Sequence, residues 1–295
     1  MPTVQSRGRA TLRLPRDFDP TWLLGFLRPR AIAGVERVTS DAYVRTIRLG
    51  ERVHTTRLTF APELLRIETQ PRPQPAEVQR IFRRMLDLDA DLAAFRSIAA
   101  GDDILRPLVE ATPGVRLIRF PDPFEGLVRA ILGQQVSLAA AATAASRIAT
   151  RFGTVAPDFG EPFRAFPSPE ALSRATDVEL RSTGLTGAKS TALRLAARAV
   201  IERTIDFEHL ASAPSGEADA ALRALTGVGP WTAAYVRMRA FGDRDAYPAS
   251  DLGVLKALAR LLGKSSVSAR EAETLSERWR PWRAYATLYL WQSLG

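Results

Sequence analysis

Between positions 35 and 69 apolar and polar residues alternate with a period of two, and β-branched types crowd Tyr43-Val44-Arg45-Thr46-Ile47-Arg48-Leu49 and Thr55-Thr56-Arg57-Leu58-Thr59-Phe60. This is the pattern of strands with one covered face, and Gly50-Glu51-Arg52 reads as the turn of a hairpin between them. Pro71-Arg72-Pro73-Gln74-Pro75 cannot continue a ladder, so the sheet stops there. The amphipathic run 76–88 then predicts a helix, and residues 1–89 a small α+β domain. Beyond it the period becomes helical. Ala- and Leu-rich stretches broken by Pro and Gly predict helices over 124–132, 138–152, 169–183, 188–202, 217–225, 230–241, 251–262 and 269–279. The expected fold is mainly α, with an α+β N-terminal domain (a small antiparallel sheet with helices) ahead of multi-helix bundle lobes. Gly184-Leu185-Thr186-Gly187-Ala188-Lys189 weakly echoes the later Gly227-Val228-Gly229.

Composition narrows the class. The 295 residues are 46% hydrophobic and 25% charged, enough for a packed core and against extended disorder. A formal charge of +9 favours a polyanionic partner, with DNA or RNA the best fit. All of the basic residues except Lys189, Lys256 and Lys264 are arginine, so composition alone accounts for part of that charge. The absence of cysteine removes disulfides, thiol nucleophiles and cysteine-held zinc or iron–sulfur centres. With no apolar run of bilayer length and no secretory core over 1–16, the expectation is a cytoplasmic protein with no membrane partner.

The candidate chemistry is concentrated in the last third. Leu225-Thr226-Gly227-Val228-Gly229-Pro230-Trp231-Thr232-Ala233 places a two-glycine hairpin directly before a helix, where free N–H groups and the helix dipole favour a phosphate. Taken alone, such a hairpin is equally a tight turn between packed helices. Trp231 and Tyr235, four apart with Met238 three further on, put two rings on one helical face, and Trp291 offers a third. A core stripe is the plain alternative; stacking walls for a base rotated out of a duplex are the functional one. Asp251 opens the next helix as an N-cap candidate, and the loop before it returns toward the aromatic helix, so the same carboxylate can face that cleft. Asp243 and Asp245 read as solvated loop charges. Gln134 and Gln135 form a polar break that is either a solvated loop or a pair of amides probing DNA. His54, in a strand-like segment, and His209, in a linker, form neither a zinc-ligand spacing nor a placeable triad.

These residues, in this order, resemble the helix-hairpin-helix DNA glycosylases, specifically the alkylation-repair branch of DNA-3-methyladenine glycosylase II. Five patches carry the resemblance: Trp22-Leu23-Leu24-Gly25-Phe26-Leu27, Ile131-Leu132-Gly133-Gln134-Gln135-Val136-Ser137, the hairpin through Tyr235, Pro248-Ala249-Ser250-Asp251, and Trp279-Arg280-Pro281-Trp282-Arg283-Ala284-Tyr285. The resemblance implies two helical lobes, 90–122 with 244–295, and 123–243 bearing the motif. It implies Asp251 as the catalytic carboxylate, and Trp231, Tyr235, Trp291 and Phe26 as the base-binding aromatics. Gln134, Gln135, Gly227, Val228, Gly229 and Thr232 fall to DNA contact, and the backbone carbonyls of Thr226 and Val228 to a monovalent cation, sodium or potassium.

Gln135 stands at the family's wedge position, where leucine is common. Trp231 stands where strand-cutting relatives carry a Schiff-base lysine, which implies base removal without strand cleavage. The implied function is hydrolytic removal of 3-methyladenine- and 7-methylguanine-type bases from double-stranded DNA in base excision repair. It needs no catalytic cofactor and is expected of a monomer working at the nucleoid. A catalytically silent DNA-binding module and a glycosylase for oxidised bases are the alternatives.

Overall fold

The computed structural model describes residues 6–157, 159–160 and 162–295. The alternating segment forms an antiparallel sheet of β1 (Gly8–Arg13), β2 (Glu36–Val38), β3 (Ala42–Leu49), β4 (Arg52–Ala61) and β5 (Leu64–Gln70), in the spatial order β1-β5-β4-β3-β2. The expected hairpin is present: Leu49 pairs with Arg52 across a turn whose Gly50 has φ +56°. β1 had no clear signal because it buries only Gly8 and Leu12 of its six residues. Between β1 and β2, α1 (Pro20–Leu27) starts with Asp19 accepting the Trp22 N–H and with Pro20 at its first position. After the proline run, α2 (Pro75–Met85) lays Val78, Phe82 and Met85 on the sheet side.

The rest of the chain is helical, as expected, with boundaries set by caps. α3 (Ala93–Ala100) and α4 (Leu105–Ala111) precede the long pair α5 (Pro123–Gly133) and α6 (Leu138–Phe152). The run 169–183 is two helices rather than one, α7 (Pro169–Arg174) and α8 (Asp177–Ser182). Thr176 divides them, because its hydroxyl accepts the Glu179 N–H while the Glu179 carboxylate returns to the Thr176 N–H. α9 (Gly187–Ile201), α10 (Phe207–Ser212), α11 (Ser215–Arg223) and α12 (Pro230–Val236) complete one lobe. The stretch 230–241 is likewise not one helix, since α12 widens after Val236 into a π-helical turn over Arg237–Phe241 that ends at Gly242, φ +80°. α13 (Leu252–Leu261), α14 (Ala269–Ser276) and α15 (Arg283–Gln292) follow, with Glu277–Trp279 a 3-10 turn where the sequence predicted continued helix.

Three cores result. Leu23, Leu58 and Phe82 centre the sheet domain; Phe124, Leu193 and Val236 the lobe of α5, α6, α9 and α12; Phe95, Leu258 and Trp279 the lobe of α3, α4 and α13 to α15. A buried ion network fastens the sheet to α5. Arg45 on β3 bonds Glu125 at 2.7 Å and Glu36 at 3.3 Å, and Arg129 bonds Glu36 at 2.9 Å and Glu125 at 3.1 Å.

Two readings of polar residues are corrected by the structure. Asp243 and Asp245 are not solvated charges: Asp243 pairs with Arg237 at 2.7 Å, and Asp245 takes both faces of the Arg283 fork at 2.9 and 3.0 Å, closing the return loop. His209 lies on α10 rather than in a linker and meets Glu217 at 2.7 Å, while His54 is buried on β4 against the Pro71 carbonyl. Among the described residues no helix is long and apolar enough to cross a membrane.

Candidate active site

The chain reaches this site by three routes. α12 begins at Pro230, so Trp231 and Tyr235 project one turn apart from its first two turns, and their rings stack with centroids 5.3 Å apart at 24°. Met238, by contrast, is fully buried in the lobe of α13 to α15 and takes no part. The return loop delivers Asp251 to the start of α13, where its Oδ1 accepts the Val254 N–H at 3.0 Å, the N-cap role read from the sequence. The last turn of α15 brings Trp291, whose ring centroid lies 6.2 Å from that of Tyr235.

These routes converge on the carboxylate. Trp231 Nε1 donates to Asp251 Oδ2 at 2.8 Å, and Trp291 Nε1 to Asp251 Oδ1 at 2.8 Å. Each oxygen is thus fixed by one indole, a degree of orientation that a lone N-cap does not require. Asp251 and all three rings are half-buried, so the arrangement is neither a sealed core stripe nor a solvent-facing acid. Gly253 makes the closure possible: a Cβ there would lie 2.9 Å from Trp291 Cδ1 and 3.0 Å from Asp251 Oδ1. Sequence reading passed over Gly253, since a glycine two residues into a helix carries no distinctive signal.

Phe26 lies across Arg239 from Tyr235 and is already partnered. Trp22 stacks on it at 5.3 Å, and the guanidinium groups of Arg30 and Arg239 stand 4.0 and 5.0 Å from its centroid. Arg239 comes from the π-helical turn and also approaches Phe120 at 4.9 Å and Tyr235 at 5.8 Å. Burial and the like charge of Arg239 lower the Arg30 guanidinium to about 10, against the pull of Tyr235 and Asp251. The aromatic wall is therefore backed by cations, a feature with no linear motif.

The hairpin residues divide into outward and inward groups. Gly227 has φ +80°, and a Cβ there would meet Ala192 at 2.7 Å, so both its backbone and its packing against α9 require glycine. Gly229 is extended and its Cβ position faces open space, as a surface for close approach would. Val228 and Thr232 are turned inward, 6% and 2% exposed, and the Val228 N–H is spent on Leu225. Of the two glutamines, Gln134 is not a free probe: its Nε2 donates to the Gly227 carbonyl at 2.7 Å and the Thr232 hydroxyl at 2.8 Å, bracing the hairpin. Gln135 is exposed in the left-handed region, φ +57°. Lys189, in the echo of the hairpin, caps the end of α5 by donating to the carbonyls of Leu132 and Gln134 at 2.8 and 2.9 Å. Among the described residues no protein donor reaches the Thr226 and Val228 carbonyls, which leaves two acceptors for a cation.

The family of HhH-GPD superfamily base excision DNA repair proteins matches residues 128–283, and the AlkA N-terminal domain matches residues 9–122. The chain is 38% identical, over 98% of its length, to the Mycobacterium tuberculosis protein named "Probable bifunctional transcriptional activator/DNA repair enzyme AlkA", of which it spans 58%. It is 33% identical to the DNA-3-methyladenine glycosylase 2 of Escherichia coli, with 97% of each chain covered. The solved 3-methyladenine DNA-glycosylase of Archaeoglobus fulgidus superposes with a TM-score of 0.84 at 27% identity, covering 96% of this chain and 97% of that one. The chain belongs to the HhH-GPD superfamily of base excision DNA repair proteins, with an AlkA-type N-terminal domain.

Proposed function

We propose that this protein is a monofunctional DNA glycosylase that removes bases of the 3-methyladenine and 7-methylguanine type from double-stranded DNA by hydrolysis. The observation that carries the reading is the grip of two indole N–H groups on the two oxygens of Asp251, within a half-buried aromatic wall. N-alkylation makes the purine ring cationic, so the base leaves neutral and needs no acid. Asp251 stabilises the oxocarbenium-like sugar as the bond lengthens, and its oxygens orient the water that adds to C1′. The water's proton passes to the carboxylate and then to solvent. Trp231, Tyr235 and Trp291 hold the cationic base, with a cation–π term of about 0.5–2 kcal/mol.

No lysine is present at position 231, so no Schiff base forms there and the strand stays whole. The Gly227-to-Gly229 hairpin and the start of α12 meet the DNA backbone, while Gln135 enters the space left by the extruded nucleotide. Thr226 and Val228 fit a sodium or potassium ion, which would add positive charge beside a phosphate when bound. The chemistry requires no further cofactor, and the protein acts as a monomer in the cytoplasm on nucleoid DNA.

The experiment is release of labelled 3-methyladenine and 7-methylguanine from methylated duplex. Free base should appear with the strand intact until alkali treatment, and Asp251→Asn should abolish release with DNA affinity within a few-fold. Strand nicking with borohydride trapping, or no free base at all, overturns the reading.

A further inference from the structure

A cleft stands apart from Asp251. About 450 Å³ in volume, it opens between α2, the loop after the π-helical turn, and the start of α15, and it is lined by Arg80, Arg83, Arg84, Arg119 and Arg244. Its acids are already engaged. Asp87 is 4% exposed and accepts from Arg119 at 2.9 Å, from the Tyr285 hydroxyl and from the Leu117 N–H. Asp89 pairs with Arg83 at 2.5 Å, and Asp91 accepts the Ala93 N–H at the start of α3 at 2.9 Å. Among the described residues no carboxylate lies within ion-pair distance of Arg80, Arg84 or Arg244. Arg84 is held below the ordinary arginine range by burial and by the like charges of Arg119 and Arg80, with Asp122 pulling the other way. Arg119 adds a buried Nε with no hydrogen-bond partner. Its guanidinium fits against Gly242, where a Cβ would come within 2.3 Å.

Three guanidinium groups without an ion-pair partner, around one concavity, are arranged for phosphate oxygens. Base recognition is not provided for: Trp282 is 5% exposed with Arg244 over its face, and Tyr285 is 2% exposed. The cleft lining does not include Asp251, Trp231, Tyr235 or Trp291. Tyr285 and Trp291 are six residues apart on α15, about 9 Å along the axis and on different faces.

We propose that this cleft is a second anion site that takes phosphate groups, either of a second nucleic-acid segment or of a free oligophosphate, independently of the DNA bound at the hairpin. Such a site would give the enzyme two holds on polyanions, one of them indifferent to base identity.

The test titrates the protein at low salt with a short undamaged duplex and, separately, with tripolyphosphate. Wild type should show a second, weaker duplex-binding step or saturable tripolyphosphate binding. The triple variant Arg80→Gln/Arg84→Gln/Arg244→Gln should weaken that step about ten-fold or more through lost phosphate contacts. Hairpin-site affinity and base release from a short methylated duplex should stay within two-fold of wild type. The double variant Arg80→Gln/Arg244→Gln, which leaves the Arg84 bond to the Pro121 carbonyl intact, should show the same trend if the triple variant folds poorly. A second duplex step identifies nucleic acid as the source, and tripolyphosphate binding without it identifies free phosphates. Wild type with neither, variants that retain the binding, or variants that lose hairpin-site affinity in parallel overturn the proposal.

Discussion

Trp291 Nε1 lies 2.8 Å from Asp251 Oδ1, an oxygen that also accepts the Val254 N–H at 3.0 Å, so one carboxylate oxygen is shared between a pocket wall and a helix cap. Replacing Trp291 by Phe keeps a ring but deletes its donor. The carboxylate then loses one of its two indole contacts, and base release should fall roughly ten-fold, about 1.4 kcal/mol, with little change in KM. Single-turnover release of 7-methylguanine measures this; an unchanged rate would mean that the indole only fills space.

Gly253→Ala separates stability from chemistry. In an exposed helix interior the change is worth up to about 1 kcal/mol in favour of Ala. Here the added methyl would press on both Trp291 and Asp251 at 3.0 Å or less. Base release should drop at least about ten-fold through a displaced carboxylate, with the melting temperature changed by only a few degrees. Full activity in a normally folded variant would show that the contact relaxes without cost.

Most of the architecture and the clustering of the candidate site residues were legible because they depend on local rules. Alternation revealed the hairpin of β3 and β4, and the Ala-rich run from 138 to 152 marked α6. Pro230 after the glycine hairpin marked α12, and Asp251 announced itself as a cap. What stayed hidden depends on partners distant in sequence. Gln134 looked like a surface amide because nothing local reveals that its donors are committed to Gly227 and Thr232, more than ninety positions on. Asp243 and Asp245 looked solvated because Arg237 and Arg283 become their neighbours only after folding. Thr176 was read as mid-helix because its capping role needs Glu179 to turn back on it.

Gln135 adopts φ +57°, a conformation that costs a side-chain-bearing residue roughly 1–2 kcal/mol. Gln135→Gly should therefore leave the fold at least as stable as the parent in chemical denaturation. Release of methylated bases from duplex should fall, whereas release from single strands, where no gap needs filling, should not. Equal losses on both substrates would remove Gln135 from the wedge role.

Acid should loosen the junction between sheet and helices. Burial alone would raise the Glu36 carboxyl, but Arg129 and Arg45 outweigh it and hold it below its ordinary 4.5. A depressed folded-state value means that this contribution is complete above about pH 4.5 and is lost as pH falls through the folded value. At pH 7, Glu36→Gln should cost on the order of 3–5 kcal/mol by leaving two buried guanidinium groups undercompensated. The gap between variant and wild type in urea melts should narrow below pH 4.5; a gap independent of pH would rule out the ion network as its source.

Arg45 and Glu125, eighty residues apart and each with a side chain 2–3% exposed, also limit how the molecule can move. A hinge between the strands and α5 would have to drag a full charge through apolar surroundings, which costs several kcal/mol. The sheet and the lobe beside it should therefore meet a duplex as one stiff body. The bending that exposes a nucleotide must then be taken up by the DNA, and sequences that kink easily should be searched with less effort.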